Sequence, residues 1–339
     1  MSDALQEILI VGAGISGLTA ALGLAALGRP VRLVEKMEAS GGYARNYACK
    51  ATDRCQQCGA CLVDDACKRV NQEPLITINL STEVRDIVRT ENGFAATLSS
   101  SKGEETTAFP AVVIASGFVP FNPQKKPHLG YGRIPNMITG FDLEKMLRKR
   151  GDLVRPSDGL RPRSIAFVQC VGSRDASLGN LFCSRVCCAY SLRMAQVLKS
   201  EQPDMDITFF YMDVQTFGKN FRETWPRVSE EFRMVREMPG EYFRVDDDRV
   251  GVLVPFPDGP HEEVFDLLVL TVGMMPGVDN EKWARELDVS LNEDGFLKEE
   301  GSKGVFVAGS AAGPLSIGEC ISTAHRTVRE LTDYLEKKS

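Results

Sequence analysis

Two stretches of the chain alternate apolar strands with helical segments. The first begins with the uninterrupted apolar run at residues 8–11, continues as a predicted helix over 15–28 and returns as a strand over 31–35. Continuous runs of β-branched residues are typical of parallel strands buried on both faces. The pattern therefore predicts a βαβ unit, which is followed by short strands at 76–80, 84–89, 94–98 and 111–115.

A second α/β pattern starts in the middle of the chain. Its predicted elements are a strand at 164–168, a helix at about 185–200, strands at 207–211, 267–271 and 304–309, and a helix at 318–336. Strands that alternate with helices in this way form parallel sheets covered by helices. We therefore predict an α/β protein with two dinucleotide-binding, Rossmann-like domains.

The domain boundaries follow from shifts in composition. We predict a first domain at 1–120 and 285–339 with a polar, Cys-rich insertion at 45–72, a linker at 121–162 around a helix at 141–150, and a second domain at 163–284.

The composition excludes several kinds of partner. Of the 339 residues, 43% are hydrophobic and 25% are charged, as is ordinary for soluble globular proteins. A formal charge of −6 gives no basic footprint for nucleic acid or a membrane, and no apolar run approaches the roughly 20 residues that span a bilayer. The acidic start at residues 1–7 does not resemble a signal peptide. We therefore expect a cytoplasmic protein whose ten cysteines are kept reduced.

A glycine-rich turn joins the first strand to its helix. Gly12, Gly14 and Gly17 have the spacing of a dinucleotide fingerprint, in which the first glycine makes the turn, the second admits the pyrophosphate and the third lets helix and strand pack closely. The helix N-terminus offers N–H groups to the phosphates. Glu35 ends the second strand, where a carboxylate accepts a hydrogen bond from a ribose hydroxyl.

Later segments favour FAD over NAD. Gly41-Gly42 and residues 114–117 and 306–310 resemble, in order, the further motifs of the two-dinucleotide-binding flavoproteins. In that family the third motif usually ends in an aspartate that binds the ribityl chain, whereas this chain has Ser310. The last helix opens at 316–319, and its positive end would stabilise negative charge on a reduced flavin. The predicted FAD-binding residues are Gly12, Gly14, Ile15, Ser16, Gly17, Glu35, Lys36, Gly41, Gly42, Ala115, Ser116, Gly117, Gly309, Ser310, Ile317 and Gly318.

The second domain has cysteines where a second glycine fingerprint would stand. The four are Cys170, Cys183, Cys187 and Cys188. Their spacing is not that of a zinc ribbon. Four thiolates at a strand end and a helix start can hold a [4Fe–4S] cluster, with helix amides donating to the sulfurs and Arg174 and Arg185 offsetting the charge. Buried free thiols, or a redox disulfide between the adjacent pair, are the alternatives.

A further group of cysteines lies in the insertion, at positions 49, 55, 58, 61 and 67. Cys55, Cys58 and Cys61 match the opening of a bacterial ferredoxin motif. Five residues rather than three then precede Cys67, and no proline follows it. A second iron–sulfur cluster on Cys55, Cys58, Cys61 and Cys67, a zinc knuckle and free or redox-active thiols are all open interpretations.

Three motifs together resemble the A-type, flavin-carrying subunit of heterodisulfide reductase. They are residues 169–175, 183–188 and 211–219, and the likeness extends over nearly all of 5–335. The resemblance is to the short form of sulfur-oxidising bacteria, which is expected to be without the extra ferredoxin domains of the methanogen form. The resemblance implies a thioredoxin-reductase-type fold, FAD, and a [4Fe–4S] site at the quartet of cysteines 170, 183, 187 and 188. In the family, a shorter cysteine pair stands in place of the first group.

The resemblance also implies a role and partners. The chain is expected to be an electron-transfer subunit with flavin-centred chemistry, in a homodimeric core that works with heterodisulfide-reductase-like B and C subunits. The complex would oxidise sulfane sulfur, with a lipoate-carrying protein as a further partner. Two rivals are a stand-alone FAD-dependent disulfide or NAD(P)H oxidoreductase and a zinc-stapled flavoprotein scaffold. The missing second fingerprint and the absence of Cys-x-x-Cys from the second domain disfavour the first rival.

The missing fingerprint leads to a kinetic prediction. Because cysteines replace the glycines that would approach a second dinucleotide, neither NADH nor NADPH should reduce the flavin of the isolated chain quickly. Stopped-flow absorbance of the flavin measures this, with dithionite as the positive control. Bleaching by either nucleotide at on the order of 1–10³ s⁻¹, the range of ordinary enzyme turnover, would contradict the prediction.

Overall fold

The computed structural model describes residues 6–149, 153–215, 221–298 and 303–338. Its helices are α1 (Ile15–Ala26), α2 (Ala60–Val70), α3 (Gly140–Arg148), α4 (Cys187–Glu201), α5 (Phe221–Glu231), α6 (Asn280–Leu287) and α7 (Ile317–Glu336). Its strands are β1 (Ile8–Val11), β2 (Val31–Val34), β3 (Ile76–Asn79), β4 (Thr82–Thr90), β5 (Gly93–Ser100), β6 (Gly103–Phe109), β7 (Val112–Ile114), β8 (Phe118–Pro120), β9 (Met137–Thr139), β10 (Ser164–Val171), β11 (Asp206–Phe210), β12 (Arg233–Val235), β13 (Glu241–Arg244), β14 (Val250–Phe256), β15 (Gly259–Phe265), β16 (Leu267–Val272), β17 (Met274–Pro276) and β18 (Val305–Val307).

The chain divides into two compact units. The first contains residues 1–45, 59–119 and 275–339, and the second contains 46–58 and 120–274. Residues 121–162, expected as a linker, contribute β9 and α3 to the second unit. The Cys-rich segment is shared, because its first part lies in the second unit and its last part in the first.

The first unit is built on a parallel sheet with the strand order β18-β7-β1-β2-β3. One face packs on α1, α7 and α2, and the other packs on the antiparallel sheet β4-β5-β6 and α6. The central strand β1 is buried along its whole length, which explains its uninterrupted apolar sequence.

Helix α2 lies inside the segment that the sequence predicted as a polar insertion. Its residues Val63, Ala66 and Val70 share one face and are buried against α1 and the core beneath it. The opposite face carries charged residues, so the helix is amphipathic despite its polar composition. The segment therefore belongs to the core of the first unit from Gly59 onwards.

The second unit repeats the plan of the first. Its parallel sheet has the order β12-β11-β10-β16-β9, beside an antiparallel sheet β13-β14-β15. Phe167 and Phe209 stack at 4.7 Å between ring centroids on the face that α3 and α4 cover. Two parallel sheets with helices on them confirm the predicted α/β class. In the described ranges no helix combines the length and apolar character needed to cross a bilayer.

A buried ion pair holds residues 46–58 in the second unit. The Lys50 ammonium lies 2.5 Å from Glu144 Oε1, and both side chains are almost fully buried, at 3% and 1% exposed. The backbone N–H of Ala48 also donates to Glu144 Oε2 at 2.9 Å, and Arg148 Nη1 donates to the Tyr47 carbonyl at 2.8 Å. These contacts tie the start of the Cys-rich segment to α3.

Removing one member of this pair should destabilise the second unit. Lys50→Met leaves the Glu144 carboxylate buried without its cation, and we expect a loss of about 3–5 kcal/mol in the free energy of unfolding. Chemical denaturation followed by circular dichroism measures it. The double variant Lys50→Met/Glu144→Leu should regain most of the loss, because no buried charge remains.

The control is an exposed ion pair. Asp65 and Arg69 face each other on α2 with both side chains 63% exposed, and Asp65→Asn should cost less than about 1 kcal/mol. A loss in Lys50→Met no larger than that in Asp65→Asn would show that the buried pair contributes nothing to holding the segment.

Candidate functional site

The turn between β1 and α1 is held in place by close backbone packing. A Cβ atom on Gly12 would lie 2.5 Å from the carbonyl oxygen of Ala115, and one on Gly17 would lie 1.9 Å from the carbonyl oxygen of Gly12. Gly12 also has φ +100°, which side chains rarely adopt. A Cβ on Gly14 would meet nothing within 4 Å. The fold therefore requires glycine at positions 12 and 17, while Gly14 faces open space.

Gly14 is the N-cap residue of α1, and no side chain caps the helix there. Its first-turn N–H groups have no intrahelical acceptor, and the helix dipole gives this end a partial positive charge. An open glycine next to such a helix end suits an anionic group such as a pyrophosphate.

Glu35 directly follows β2, beside this turn. It is buried, and its carboxylate accepts the N–H of Ala13 at 2.8 Å and the N–H of Met37 at 2.9 Å. A carboxylate has about four acceptor positions, so these bonds leave room for a hydroxyl donor. The contact with Ala13 shows that Glu35 also shapes the glycine turn, while its predicted ribose contact stays a prediction. The neighbouring Lys36 side chain is exposed.

The later flavin motifs lie around the same turn. The N–H of Gly41 donates to the carbonyl of Ala13 at 2.7 Å, and a Cβ on Gly42 would lie 3.3 Å from the Cα of Gly14. The end of β7 reaches the turn through Ala115, whose N–H donates to the carbonyl of Val11 at 2.8 Å. Ser116 and Gly117 follow it directly, Ser116 with its side chain exposed.

The third motif contacts the turn through a buried thiol that sequence reasoning missed. A Cβ on Gly309 would lie 1.8 Å from Ser16 Oγ. The Ser310 hydroxyl lies 3.3 Å from Cys320 Sγ, and the side chains of Ser16, Ser310 and Cys320 are all buried. Burial raises the pKa of Cys320, and hydrogen bonds from Ser310 and Ser16 act against it. The hydroxyl that stands at the place of the family aspartate thus bonds a cysteine of α7.

Helix α7 starts next to this motif. Ser316 caps it by accepting the N–H of Glu319, whose carboxylate accepts the N–H of Ser316 in return at 2.8 Å. Ile317 and Gly318 form the first turn. A Cβ on Gly59 would lie 2.8 Å from Ile317 Cγ2, so the start of α2 packs on this turn. All of the predicted flavin residues therefore lie in the first unit.

The second candidate site lies at the end of β10 in the second unit. Cys170 sits on a β-bulge, where β10 carries one residue more than its partner β16, and it has φ +57°. Cys187 and Cys188 are buried in the first turn of α4, and Cys183 precedes them in a half-buried loop. The bulge and the helix start bring the four thiols into one neighbourhood.

Backbone strain is concentrated around these cysteines. Arg174 and Arg185 have φ +55° and φ +59°, in the region that non-glycine residues avoid. The strained Arg185 directs its N–H to Cys183 Sγ at 3.2 Å. Strain of this kind costs on the order of 1 kcal/mol per residue and gathers at functional sites. An amide that donates to sulfur stabilises the thiolate, as at metal sites.

The four thiols interact electrostatically. Burial, with the nearby Cys188 as second cause, raises the pKa of Cys170 to about 12. The pKa of Cys188 falls to about 7, chiefly because the Cys187 thiol donates a hydrogen bond to it, and the pKa of Cys187 rises well above its usual range. Ionised thiols this close repel one another, and a cation among them removes the repulsion.

A bidentate ion pair borders the thiols. Arg174 donates from both terminal nitrogens to Asp213, at 2.5 and 3.0 Å, and the Gln215 side chain donates to the same carboxylate at 2.9 Å. A pair of this geometry fixes the guanidinium in place. Asp213 and Gln215 belong to the third motif of the resemblance, whose remaining residues 216–219 lie outside the described part of the chain.

The residues around the four cysteines show whether this place suits a thiolate-bound metal group. In the part of the chain that the structure describes, no three or more His, Cys, Asp or Glu side chains are arranged as a metal site. The surroundings nevertheless fit one, because an amide donates to Cys183 and because the buried hydroxyls of Ser173 and Thr271 have no partner among the described residues. The predicted ligand set therefore stays a prediction.

The first cysteine group is more exposed. Cys49, Cys55 and Cys61 are exposed, and Cys58 and Cys67 are half-buried. Cys55 and Gln57 repeat the arrangement of Cys183 and Arg185. Gln57 has φ +52°, and its N–H donates to Cys55 Sγ at 3.4 Å. Cys55 and Cys58 belong to the second unit and Cys61 and Cys67 to the first, so neither unit contains all four.

Known proteins share this fold. The family described as pyridine nucleotide-disulphide oxidoreductase matches residues 6–152. Thioredoxin reductase of T. acidophilum has a TM-score of 0.65 at 17% identity, covering 97% of this chain and 99% of its own. Thioredoxin reductase of Lactococcus lactis has a TM-score of 0.67 at 15% identity, covering 98% and 99%. These likenesses confirm the predicted thioredoxin-reductase-type fold.

Curated relatives are similar in sequence. The A-type subunit of the H(2):CoB-CoM heterodisulfide,ferredoxin reductase of Methanothermobacter thermautotrophicus is 35% identical over 237 residues, which cover 63% of this chain and 35% of that protein. The A-type subunit of the ferredoxin/F(420)H(2)-dependent CoB-CoM heterodisulfide reductase of Methanosarcina acetivorans is 28% identical over 411 residues, which cover 93% and 51%. The chain thus spans between 35% and 51% of the length of these relatives. They confirm the resemblance seen in the motifs.

The open space at Gly14 leads to a prediction about the flavin. In Gly14→Val a branched side chain occupies the place where a pyrophosphate approaches, so the purified variant should contain little or no FAD. Protein denatured and analysed by chromatography reports the amount and the kind of flavin released.

Gly240→Val is the matched control. Gly240 also has open space around its Cβ position and no positive φ, but it lies in the second unit. We expect this variant to keep its FAD. Full FAD occupancy in Gly14→Val, or FMN in the unmodified protein, would contradict the assignment of the glycine turn.

Proposed function

We propose that this homologue of the A-type subunit of heterodisulfide reductase is an electron-transfer subunit. It holds FAD in its first unit and a [4Fe–4S] cluster in its second. The cluster ligands are Cys170, Cys183, Cys187 and Cys188. The observation that carries the proposal is the gathering of these four thiols where the strand β10 ends and the helix α4 begins.

The position of the quartet supports this role. In open α/β sheets, ligands bind at the carboxyl ends of the strands, where the following helix begins. The second sheet has no Gly-x-Gly-x-x-Gly fingerprint there and presents thiols instead. Arg174 supplies a positive charge that offsets thiolate charge, and the Arg185 N–H already donates to one of the sulfurs.

The residues of the first unit have distinct roles toward the flavin. Gly14 and the start of α1 receive the pyrophosphate, and Glu35 accepts a ribose hydroxyl with an oxygen that already bonds Ala13 or Met37. The first turn of α7 would stabilise negative charge on the reduced flavin, and Ser310 stands where the family's ribityl-binding aspartate would be. When bound, FAD supplies two-electron chemistry and the cluster supplies one-electron transfer, while the protein sets their environment.

The partners and the reaction are inferred from the related proteins. The relatives carry names of heterodisulfide reductase subunits of the A type, and several of those names include the words iron-sulfur. We extend this to a cytoplasmic, homodimeric core that works with B- and C-type subunits and a lipoate-carrying protein in the oxidation of sulfane sulfur. The first cysteine group is assigned a second cluster, which Cys55 supports by the N–H that Gln57 directs to its sulfur.

Metal analysis of paired variants tests the ligand assignment. In Cys187→Ala/Cys188→Ala we expect the iron content and the EPR signal of the anaerobically reduced protein to fall by the amount of one cluster. The matched variant Cys58→Ala/Cys61→Ala removes two thiols from the other group and should keep the quartet signal. Both proteins should keep their FAD, because neither variant changes a predicted flavin-binding residue.

The opposite outcome would overturn the assignment. If Cys58→Ala/Cys61→Ala loses the iron and Cys187→Ala/Cys188→Ala keeps it, the cluster belongs to the Cys-rich segment. Stoichiometric zinc without iron or sulfide would favour the scaffold role, and a protein with FAD and no metal would favour the stand-alone disulfide oxidoreductase.

A further inference from the structure

Two buried hydroxyls near the cysteine quartet lack a hydrogen-bond partner. Ser173 is 1% exposed and Thr271 is fully buried, and neither hydroxyl has a partner among the residues that the structure describes. A buried polar group without a hydrogen-bond partner destabilises the folded state, so native proteins rarely keep one. Each hydroxyl therefore needs an acceptor or donor that the described chain does not provide.

The strand register places Thr271 beneath the first turn of α4. On β10 and β16, Phe167 and Val269 point to the face that α4 covers, and side chains alternate along a strand. Thr271, two residues after Val269, is therefore on the same face. It lies across from the bulge, because Leu270 pairs with Val168 and the next paired residue of β16 is Val272.

A neighbouring contact confirms what this face meets. Gln169, on the same face of β10, donates from Nε2 to Ser191 Oγ at 2.7 Å, and Ser191 donates to the Cys187 carbonyl at 2.9 Å. The end of the sheet on this face thus lies directly under the helix turn that begins with Cys187. Thr271 is on the neighbouring strand, and its side chain lies on the same face of the sheet as Gln169.

Ser173 is held close to Cys170 by the backbone that follows the bulge. It follows the bulge, and its N–H lies 3.3 Å from the carbonyl of Cys170. The backbone between them includes Gly172, which has φ +84° and packs against the Phe121 ring. This tight turn holds the Ser173 side chain in the interior, within three residues of a predicted ligand.

We propose that the hydroxyls of Thr271 and Ser173 donate hydrogen bonds to the sulfur atoms of the group held by the quartet, and that they set its reduction potential. The inference rests on the proposed function, because it needs a thiolate-bound cluster at that place. A hydroxyl can rotate to donate to sulfur, and it adds a donor of a different kind from the Arg185 amide and the Arg174 charge. These residues position and tune the cluster without being ligands.

The proposal fixes the sign of a potential shift. Reduction adds negative charge to the sulfurs, so a donor to sulfur stabilises the reduced form and raises the midpoint potential. Removing the donor therefore lowers the potential. In the iron-free protein, removing the hydroxyl should not lower the free energy of unfolding, because a buried polar group without a partner is removed.

Thr271→Val and Ser173→Ala test the proposal, with Thr208→Val as control. Thr208 is a buried threonine of the same sheet, but on β11 it alternates with Phe209 and so lies on the face away from α4. Redox titration followed by EPR gives the midpoint potential of each loaded protein. Thermal unfolding compares each variant before and after removal of its iron.

We expect Thr271→Val and Ser173→Ala to lower the midpoint potential and to lose iron faster under a chelator, while their iron-free forms unfold no earlier than the iron-free parent. Thr208→Val should leave the potential unchanged. If the loaded parent holds a cluster and the potential of both variants equals that of the parent, buried water satisfies the hydroxyls and the inference is wrong. If the reconstituted parent binds no iron, the proposed function fails and the inference fails with it.

Discussion

Parallel pairing of the central strands determines where every candidate site residue lies. In each unit the central strand of the parallel sheet is buried on both faces and pairs on both sides, β1 with β2 and β7, and β10 with β11 and β16. Such a strand cannot shift its register without moving apolar residues out of the core. Its carboxyl end is therefore a fixed point, and the chain turns there into a helix. The glycine turn of the first unit and the cysteine bulge of the second are two different sequences placed at this same kind of point.

The two turns solve the packing problem differently. In the first unit the backbone comes so close to its neighbours that only glycine fits, as the 1.9 Å separation at Gly17 shows. In the second unit, non-glycine residues take the left-handed conformation at Cys170, Arg174 and Arg185. Strain of about 1–3 kcal/mol at each such residue persists only where the surrounding structure imposes it. Here the ion pair with Asp213 holds Arg174, and the pairing of β10 with β16 around the bulge holds Cys170.

The sequence predicted these points well because they depend on local signals. Uninterrupted apolar runs identified β1, β7, β10 and β16, and the glycine spacing identified the start of α1. It did not predict α2, because the segment is polar overall and only Val63, Ala66 and Val70 show the helical spacing of a buried face. It also missed Cys320, whose contact with Ser310 joins two elements that are close only in the folded chain. The contact of Glu35 with Ala13 was hidden for the same reason, since 22 residues separate them.

The strand order of the second sheet has a consequence for the protein while it is being made. Strand β16, which lies beside β10 and carries Thr271, is synthesised about a hundred residues after Cys170. Pairing between such distant segments forms late, because the intervening loop must first be closed. Until β16 has left the ribosome, the bulge at Cys170 has no neighbour on that side and the thiols of α4 are not enclosed. Assembly of anything that these thiols hold must therefore wait for nearly the whole chain, and an oxidant present earlier meets open cysteines.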